Sequence, residues 1–275
     1  MINFKMNFSK AYTDLILKYA DRYKPFKYNT KYSNKYYLEH IFNVLGDVVT
    51  WKSLMNIKTI ISNHEYHYKT ISKIHLEWAR NKVYENAYTE YIRINKCCDI
   101  TQDNFIDGTL IINKSGIENI GYGCGESLKK KFTSLTAVCN DNTKPISIIC
   151  NPNYTKITKK NRIIKTLPHD SKSILPSIDQ INNNYENKNI KYNLGGDKGF
   201  VFDITKVPCN VNLIAVKRKN QIAQNTDEET LILKKRYKIE NLFAKIKVFN
   251  RVHIRRDKLI ASYMGFVYLA LMKII

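Results

Sequence analysis

Residues 105–112 read Phe-Ile-Asp-Gly-Thr-Leu-Ile-Ile, a mostly apolar run with one acid at its third position. Apolar, β-branched and aromatic residues pack well on a pleated surface, so this run predicts a β-strand. The acid, Asp107, is out of place in such a strand, because an unpaired carboxylate is costly to bury. The run therefore predicts a strand and also marks Asp107 as a candidate for chemistry.

Two further strands are predicted shortly after the first. Residues 134–139 alternate between two faces, residues 140–142 (Asn-Asp-Asn) are typical of a turn, and residues 145–149 form another apolar run. Turn residues between short apolar segments indicate hairpin connections. The three strands are therefore expected to form an antiparallel meander.

The remaining elements extend the same domain. A helix is predicted over 173–183, a short strand within 191–201 and another strand over 211–216. A long final helix is expected to begin at Thr226, because Glu229 three residues later completes a capping-box pattern. Its continuation through residues 239–246 has apolar residues at helical spacing. This order of strands and helices is ribonuclease H-like, and it predicts the α/β class with a mixed sheet.

The part before this domain has a different character. Residues 1–100 contain one glycine, and apolar residues recur at helical spacing over 36–44 and 71–94. We therefore predict a small helical N-terminal domain over 1–100 and a catalytic domain over 101–275. The apolar stretch 259–275 is too short to span a bilayer and contains Lys273, so it predicts a buried helix.

The charge of the chain suggests the kind of partner. Lys and Arg number 45 against 24 Asp and Glu, which gives a formal net charge of +21. Such an excess favours a polyanionic partner, either nucleic acid or an anionic membrane surface. Compositional drift in an A+T-rich coding sequence is an alternative source of the excess lysine. No signal peptide is evident, and the cysteine spacing supports neither a zinc site nor a disulfide framework, so an intracellular location is expected.

Three acids on separate predicted elements stand out as candidates. Asp107 interrupts the first strand, Asp197 follows two glycines at a strand end, and Glu240 lies on the final helix beside its apolar face. Carboxylate oxygens are the ligands that Mg²⁺ prefers, and paired metal ions can promote phosphodiester cleavage. Each acid also has a plain structural reading, as a turn residue, a cap or half of an i, i+4 helix pair with Arg236.

These residues also resemble the conserved blocks of a known family. Residues 106–109 with 113–116 are similar to a first catalytic block, and residues 196–200 to a second. The third block of the family reads Y-x-x-R-x-x-x-E-x-x-x-x-x-x-K, and here Arg236, Glu240 and Lys247 take the R, E and K positions. The chain thus resembles DDE transposases of the bacterial insertion-sequence-five type. Leu233 stands where that family has tyrosine, which removes a hydroxyl that could contact DNA.

The resemblance implies a fold, a reaction and partners. It implies a ribonuclease H-like domain in which Asp107, Asp197 and Glu240 hold two Mg²⁺ ions, for which Mn²⁺ can substitute. The expected reaction is cleavage at transposon ends and joining to target DNA, by a protein that works as a homodimer on paired ends. The N-terminal helices would bind the terminal inverted repeats of double-stranded DNA. The expected DNA-binding cations are Lys198, Lys217, Arg218, Lys219, Arg236 and Lys247.

A second class of function stays open at this point. A domesticated or inactive copy would keep the fold and bind DNA without cutting it. Terminal inverted repeats beside the coding region would favour a mobile element, and their absence would favour the binding protein. A membrane-surface role is the weakest reading, since no long basic amphipathic helix with an apolar anchor is present.

Overall fold

The computed structural model describes residues 9–23, 32–46, 51–52, 68–95, 99–122, 130–157, 163–167, 169–185, 190–217 and 224–275. Within the chain, two compact units are distinguished. The first, called the helical unit, consists of the described residues within 1–91, 114–118 and 246–274. The second, called the sheet unit, consists of the described residues within 92–113 and 119–245, together with Ile275. The units are discontinuous in sequence, whereas the predicted domains are contiguous, and the DNA-binding role of residues 1–100 stays a prediction.

The helices of the chain, in order, are α1 (Lys10–Arg22), α2 (Asn34–Gly46), α3 (Tyr68–Arg80), α4 (Val83–Ile94), α5 (Ile174–Asn184), α6 (Asp227–Lys234), α7 (Tyr237–Lys247), α8 (Asn250–His253) and α9 (Ile260–Ile274). The strands are β1 (Asp103–Asn113), β2 (Gly121–Tyr122), β3 (Lys131–Asn140), β4 (Pro145–Cys150), β5 (Tyr154–Ile157), β6 (Ile163–Thr166), β7 (Tyr192–Gly196), β8 (Val211–Ala215) and β9 (Ile254–Arg255). Short 3-10 helices cover Asp170–Ser173, Lys198–Phe200 and Ile204–Lys206.

The sheet unit is built on a mixed β-sheet with the strand order β5-β6-β2-β3-β1-β7-β8, and β4 pairs with β3. β1, β3 and β4 pair antiparallel, as the predicted meander requires. β7 then lies parallel to β1, and β8 lies parallel to β7. Helix α5 carries Ile174, Ile178 and Ile181 at helical spacing into the core of this unit. The predicted mixed α/β class is confirmed.

The helical unit has a core of its own, and its described residues before 91 are largely α-helical. The largest fully buried side chains in this unit include Trp78, Tyr84, Tyr88, Tyr263 and Phe266. The predicted helical segment 71–94 is two helices, because Lys82 adopts a positive φ of 58° between them. Helix α9 is almost entirely buried, as predicted. Across the described part of the chain, no helix has both the length and the apolar character needed to cross a bilayer.

The predicted long final helix is also two helices, and this difference matters for the site. α6 ends at Lys234, its C-cap Lys235 has φ −79° and ψ 0°, and α7 begins at Tyr237. Arg236 therefore lies in the turn between two helices and not one turn before Glu240 on the same helix. The capping box at Thr226 and Glu229 is confirmed at the start of α6.

Candidate active site

Asp107 and Asp197 lie at the same edge of the sheet. β1 and β7 run parallel with Phe105 opposite Gly195, and each aspartate comes two residues later in its chain. Because side chains two residues apart share a face, both carboxylates lie on one face of the sheet, with Asp107 in the middle of β1 and Asp197 just past the carboxyl end of β7. The carboxyl end of parallel strands is the edge at which α/β proteins commonly bind ligands.

Asp107 is half-buried and is held from two sides. Its Oδ1 accepts a hydrogen bond of 2.8 Å from the Gly108 amide, and its Oδ2 lies 3.5 Å from Nη2 of Arg236. Burial raises the pKa of Asp107, the Gly108 amide and Arg236 oppose that rise, and the charges of Asp197 and Asp170 add to it. The raised pKa reflects a cluster of like charges in a partly desolvated place.

Asp197 is oriented by the chain that follows it. It is the N-cap of the 3-10 helix Lys198–Phe200, and its Oδ1 accepts a hydrogen bond of 2.7 Å from the Gly199 amide. This hydrogen bond fixes the position of Oδ1, and the second carboxylate oxygen takes no part in the turn. Lys198, the next residue in the chain, is exposed.

Asp170 is a third acid in this cluster, and the sequence did not single it out as a ligand. A Cβ added at Gly199 would lie 2.5 Å from Asp170 Oδ2 and 2.9 Å from Asp197 Oδ1, so the two carboxylates meet over the same glycine. A Cβ at Gly108 would lie 3.1 Å from Asp170 Oδ1. Burial raises the pKa of Asp170, and the charge of Asp197 raises it further.

A weak signal for this third acid exists in the sequence. The glycines at 108 and 199 lie one and two residues after the predicted aspartates, and such glycines often allow close approach of another group. The sequence does not say which group approaches. The preceding residue, His169, is exposed, and its Nδ1 bonds the Ser171 hydroxyl.

Glu240, the third predicted ligand, does not form with the aspartates a group that could hold a metal ion, as far as the described residues show. It lies in the first turn of α7 with an exposed side chain. Within the described residues its side chain forms no hydrogen bond or ion pair, and Arg236 pairs with Asp107 instead of with Glu240. Its role as a ligand therefore stays a prediction.

The predicted DNA-binding cations have different environments. Lys217 is partly buried, with its Nζ 3.1 Å from the carbonyl oxygen of Gln224 and 3.8 Å from Glu229. Burial lowers the pKa of Lys247, which is half-buried near the end of α7. Arg218 and Lys219 lie outside the described residues.

The donor atoms of the cluster suit a hard divalent cation. Asp107, Asp170 and Asp197 offer only carboxylate oxygens, and the space over Gly199 that a Cβ would fill lies between two of them. Considered over the described ranges of the chain, no three Asp, Glu, His or Cys side chains approach closely enough to enclose one metal ion. The residues therefore fit Mg²⁺ by donor chemistry, and a closed coordination sphere would require side-chain movement.

Comparison with known proteins supports the fold. No protein-family model matches the chain, and no curated protein matches it in sequence. A cryo-EM structure of a piggyBac transposase synaptic complex with hairpin DNA matches it over 98% of this chain and 72% of that chain. The TM-score is 0.53 and the sequence identity is 10%. The chain therefore has a transposase-like fold, consistent with the predicted ribonuclease H-like architecture, while the insertion-sequence-five type stays a prediction.

Proposed function

We propose that this protein is a DNA transposase of the insertion-sequence-five type, which cuts transposon ends and joins them to target DNA. The observation that carries the proposal is the pair of Asp107 and Asp197, one within β1 and the other directly after the parallel neighbour β7, in a sheet of transposase-like fold. The solved structure that shares the fold is a transposase in a complex with DNA. The net charge of +21 favours the same partner.

The residues have distinct roles in this proposal. Asp107, Asp197 and Glu240 would hold Mg²⁺, which when bound supplies activation of the attacking oxygen and stabilisation of the leaving oxygen. The amides of Gly108 and Gly199 orient the two aspartates before DNA arrives. Asp170 contributes negative charge beside Asp197, so it is a second candidate for the third carboxylate.

Other parts of the chain would bind DNA. Arg236, which pairs with Asp107, and the exposed Lys198, which follows Asp197, would contact the phosphates next to a scissile bond. The N-terminal helices would bind the terminal inverted repeats, and two copies of the chain would pair the two ends.

The test is DNA cleavage by single variants in the presence of Mg²⁺. We expect Asp107→Asn and Asp197→Asn to lower the rate at least about a hundredfold, the scale of losing one preorganised electrostatic group. The substrate is DNA carrying the segments that flank the coding region. Asp179→Asn is the matched control, because Asp179 is an exposed acid on α5. If the two site variants cleave and join like the parent, the assigned site is wrong.

Two further variants identify the third carboxylate. Loss of cleavage in Glu240→Gln with activity kept in Asp170→Asn supports the predicted triad. The opposite result assigns the third position to Asp170, which the geometry places next to Asp197. Thermal unfolding of each variant separates loss of chemistry from loss of fold.

The second candidate function is a transposase-derived protein that binds DNA without cutting it. The exposed side chain of Glu240, which has no hydrogen bond or ion pair within the described residues, favours it. Binding of flanking DNA without any Mg²⁺-dependent strand break, together with absence of terminal inverted repeats, would support this function over the first.

A further inference from the structure

Lys217 lies at the same edge of the sheet as Asp197. β7 and β8 are parallel with Gly196 opposite Ala215, and the Val216 amide donates a hydrogen bond of 3.2 Å to the Gly196 carbonyl oxygen. In this register Asp197 is level with Val216, and Lys217 lies one residue beyond that level. A phosphodiester bound at the aspartates would therefore have Lys217 on the neighbouring strand end.

The amine of Lys217 is already engaged by the chain itself. Its Nζ donates to the carbonyl oxygen of Gln224 at 3.1 Å and lies 3.8 Å from Oε2 of Glu229. The side chains of Lys217 and Glu229 are 33% and 31% exposed, so water and ions reach both partners. An ion pair of this kind is weak enough to be exchanged for another anion.

Glu229 is held firmly in its position. Its Oε2 accepts hydrogen bonds from Asn225 Nδ2 at 2.9 Å and from the Thr226 amide at 3.1 Å. Asn225 in turn donates to the Ala215 carbonyl oxygen at 3.1 Å and accepts from the Lys217 amide at 2.9 Å. The hydrogen bond from Asn225 is the main reason that the pKa of Glu229 is lowered, so the group is charged at neutral pH.

The helix that carries Glu229 is bound mainly by such polar contacts. α6 has no buried residue, and its first turn holds three acids, Asp227, Glu228 and Glu229. The first two are exposed. Of the three, Glu229 alone pairs with a cation among the residues that the structure describes.

We propose that Glu229 competes with DNA phosphate for Lys217, and so lowers the affinity of this edge of the sheet for DNA. A carboxylate and a phosphate present oxygen anions to an ammonium group in the same way, and one lysine cannot bind both fully. DNA binding at the aspartates requires the exchange of Glu229 for a backbone phosphate at Lys217. This inference rests on the proposed DNA-processing function.

The test uses single charge-neutralising variants of α6. Glu229→Gln removes the charge and keeps the capping-box hydrogen bonds, because Gln serves at that position as Glu does. Glu228→Gln is the matched control, with the same change of net charge in the same turn and without the contact to Lys217. Affinity for a fluorescein-labelled duplex is measured by fluorescence anisotropy at about 50 mM salt, where screening is weak.

We expect Glu229→Gln to bind about threefold more tightly than Glu228→Gln, the scale of one partly exposed ion pair. In a Lys217→Met background the difference between the two variants should vanish. Equal affinities of Glu229→Gln and Glu228→Gln would overturn the inference, and so would a difference that persists without Lys217. If the parent protein binds no DNA, the proposed function fails together with this inference. If the parent binds and cleaves DNA but the two variants have equal affinities for it, only this inference fails.

Discussion

At the scale of single residues, the site depends on side chains that approach the backbone closely. Gly199 lies under two carboxylates, and its amide binds Asp197. Gly196, three residues earlier, lies against Phe200, with only 2.8 Å between an added Cβ and the Phe200 Cβ. The two glycines are therefore needed for different reasons, the first for the position of the acids and the second for packing.

This difference leads to a prediction for alanine variants. In Gly199→Ala the colliding atoms are carboxylate oxygens, which can move, so we expect the fold to be kept and DNA cleavage to fall at least about tenfold through misplaced ligands. In Gly196→Ala the colliding atom is a Cβ close to the backbone, so we expect destabilisation of about 1 to 3 kcal/mol. Cleavage rates and urea unfolding measure the two effects. A Gly199→Ala protein with the parent rate would contradict the placement of Asp170 and Asp197.

At the scale of elements, a buried histidine joins three helices of the helical unit. His75 on α3 is fully buried, with Nε2 2.8 Å from the Ser262 carbonyl oxygen of α9 and Nδ1 2.9 Å from the Tyr84 hydroxyl of α4. A carbonyl oxygen only accepts, so Nε2 donates, and in the neutral ring Nδ1 accepts from the Tyr84 hydroxyl. The ring also stacks on Phe266 at 4.2 Å. The arrangement satisfies both nitrogens of a neutral imidazole, and burial favours that form.

The neutral state gives a prediction for pH. Burial lowers the pKa of His75 from 6.5 to about 4. The unfolded chain binds the proton more readily, so the stability from His75 is complete above about pH 6.5 and is lost as the pH falls towards 4. Urea unfolding should show a loss of about 2 to 3 kcal/mol over this range that is absent in His75→Phe. Equal slopes in the two proteins would show that His75 does not titrate in this way.

Element patterns in the sequence were informative about type and less so about breaks. Alternation and helical spacing predict the meander, α5 and β8, and the spacing of Thr226 and Glu229 predicts the capping box of α6, because these signals are local. The break at Lys235 is not visible in the same way, since good helix formers continue through it. Tertiary contacts decide that break, with Lys235 bonding Asp103 at 2.8 Å and Arg236 lying beside Asp107.

At the scale of the whole molecule, the charge of +21 is the property that bears on partners. A folded protein with this excess attracts any polyanion, and drift in composition would produce the same number. What separates the two explanations is whether cations are placed where DNA would lie. Lys198, Lys217 and Arg236 all lie near the edge of the sheet that carries Asp107 and Asp197.

The charge leads to a prediction about salt. If the chain neutralises DNA phosphates, the logarithm of its affinity should fall linearly with the logarithm of salt concentration. Between about 50 mM and about 200 mM salt we expect a loss of at least tenfold for a duplex, because several counterions are released. Fluorescence anisotropy titrations at four salt concentrations measure the slope. An affinity independent of salt would exclude phosphate contacts as the basis of binding.

The sequence by itself determined the order of the main strands and helices, and it pointed to Asp107 and Asp197, because apolar patterns and turn residues are local signals. Only the tertiary structure placed Asp170 beside Asp197, paired Arg236 with Asp107 and tied Lys217 to Glu229. The residues in these contacts are separated along the chain, and the pairing of strands and the path of the loops bring them together. Their partners are set by register and by the break between two helices, which no local pattern of residues encodes.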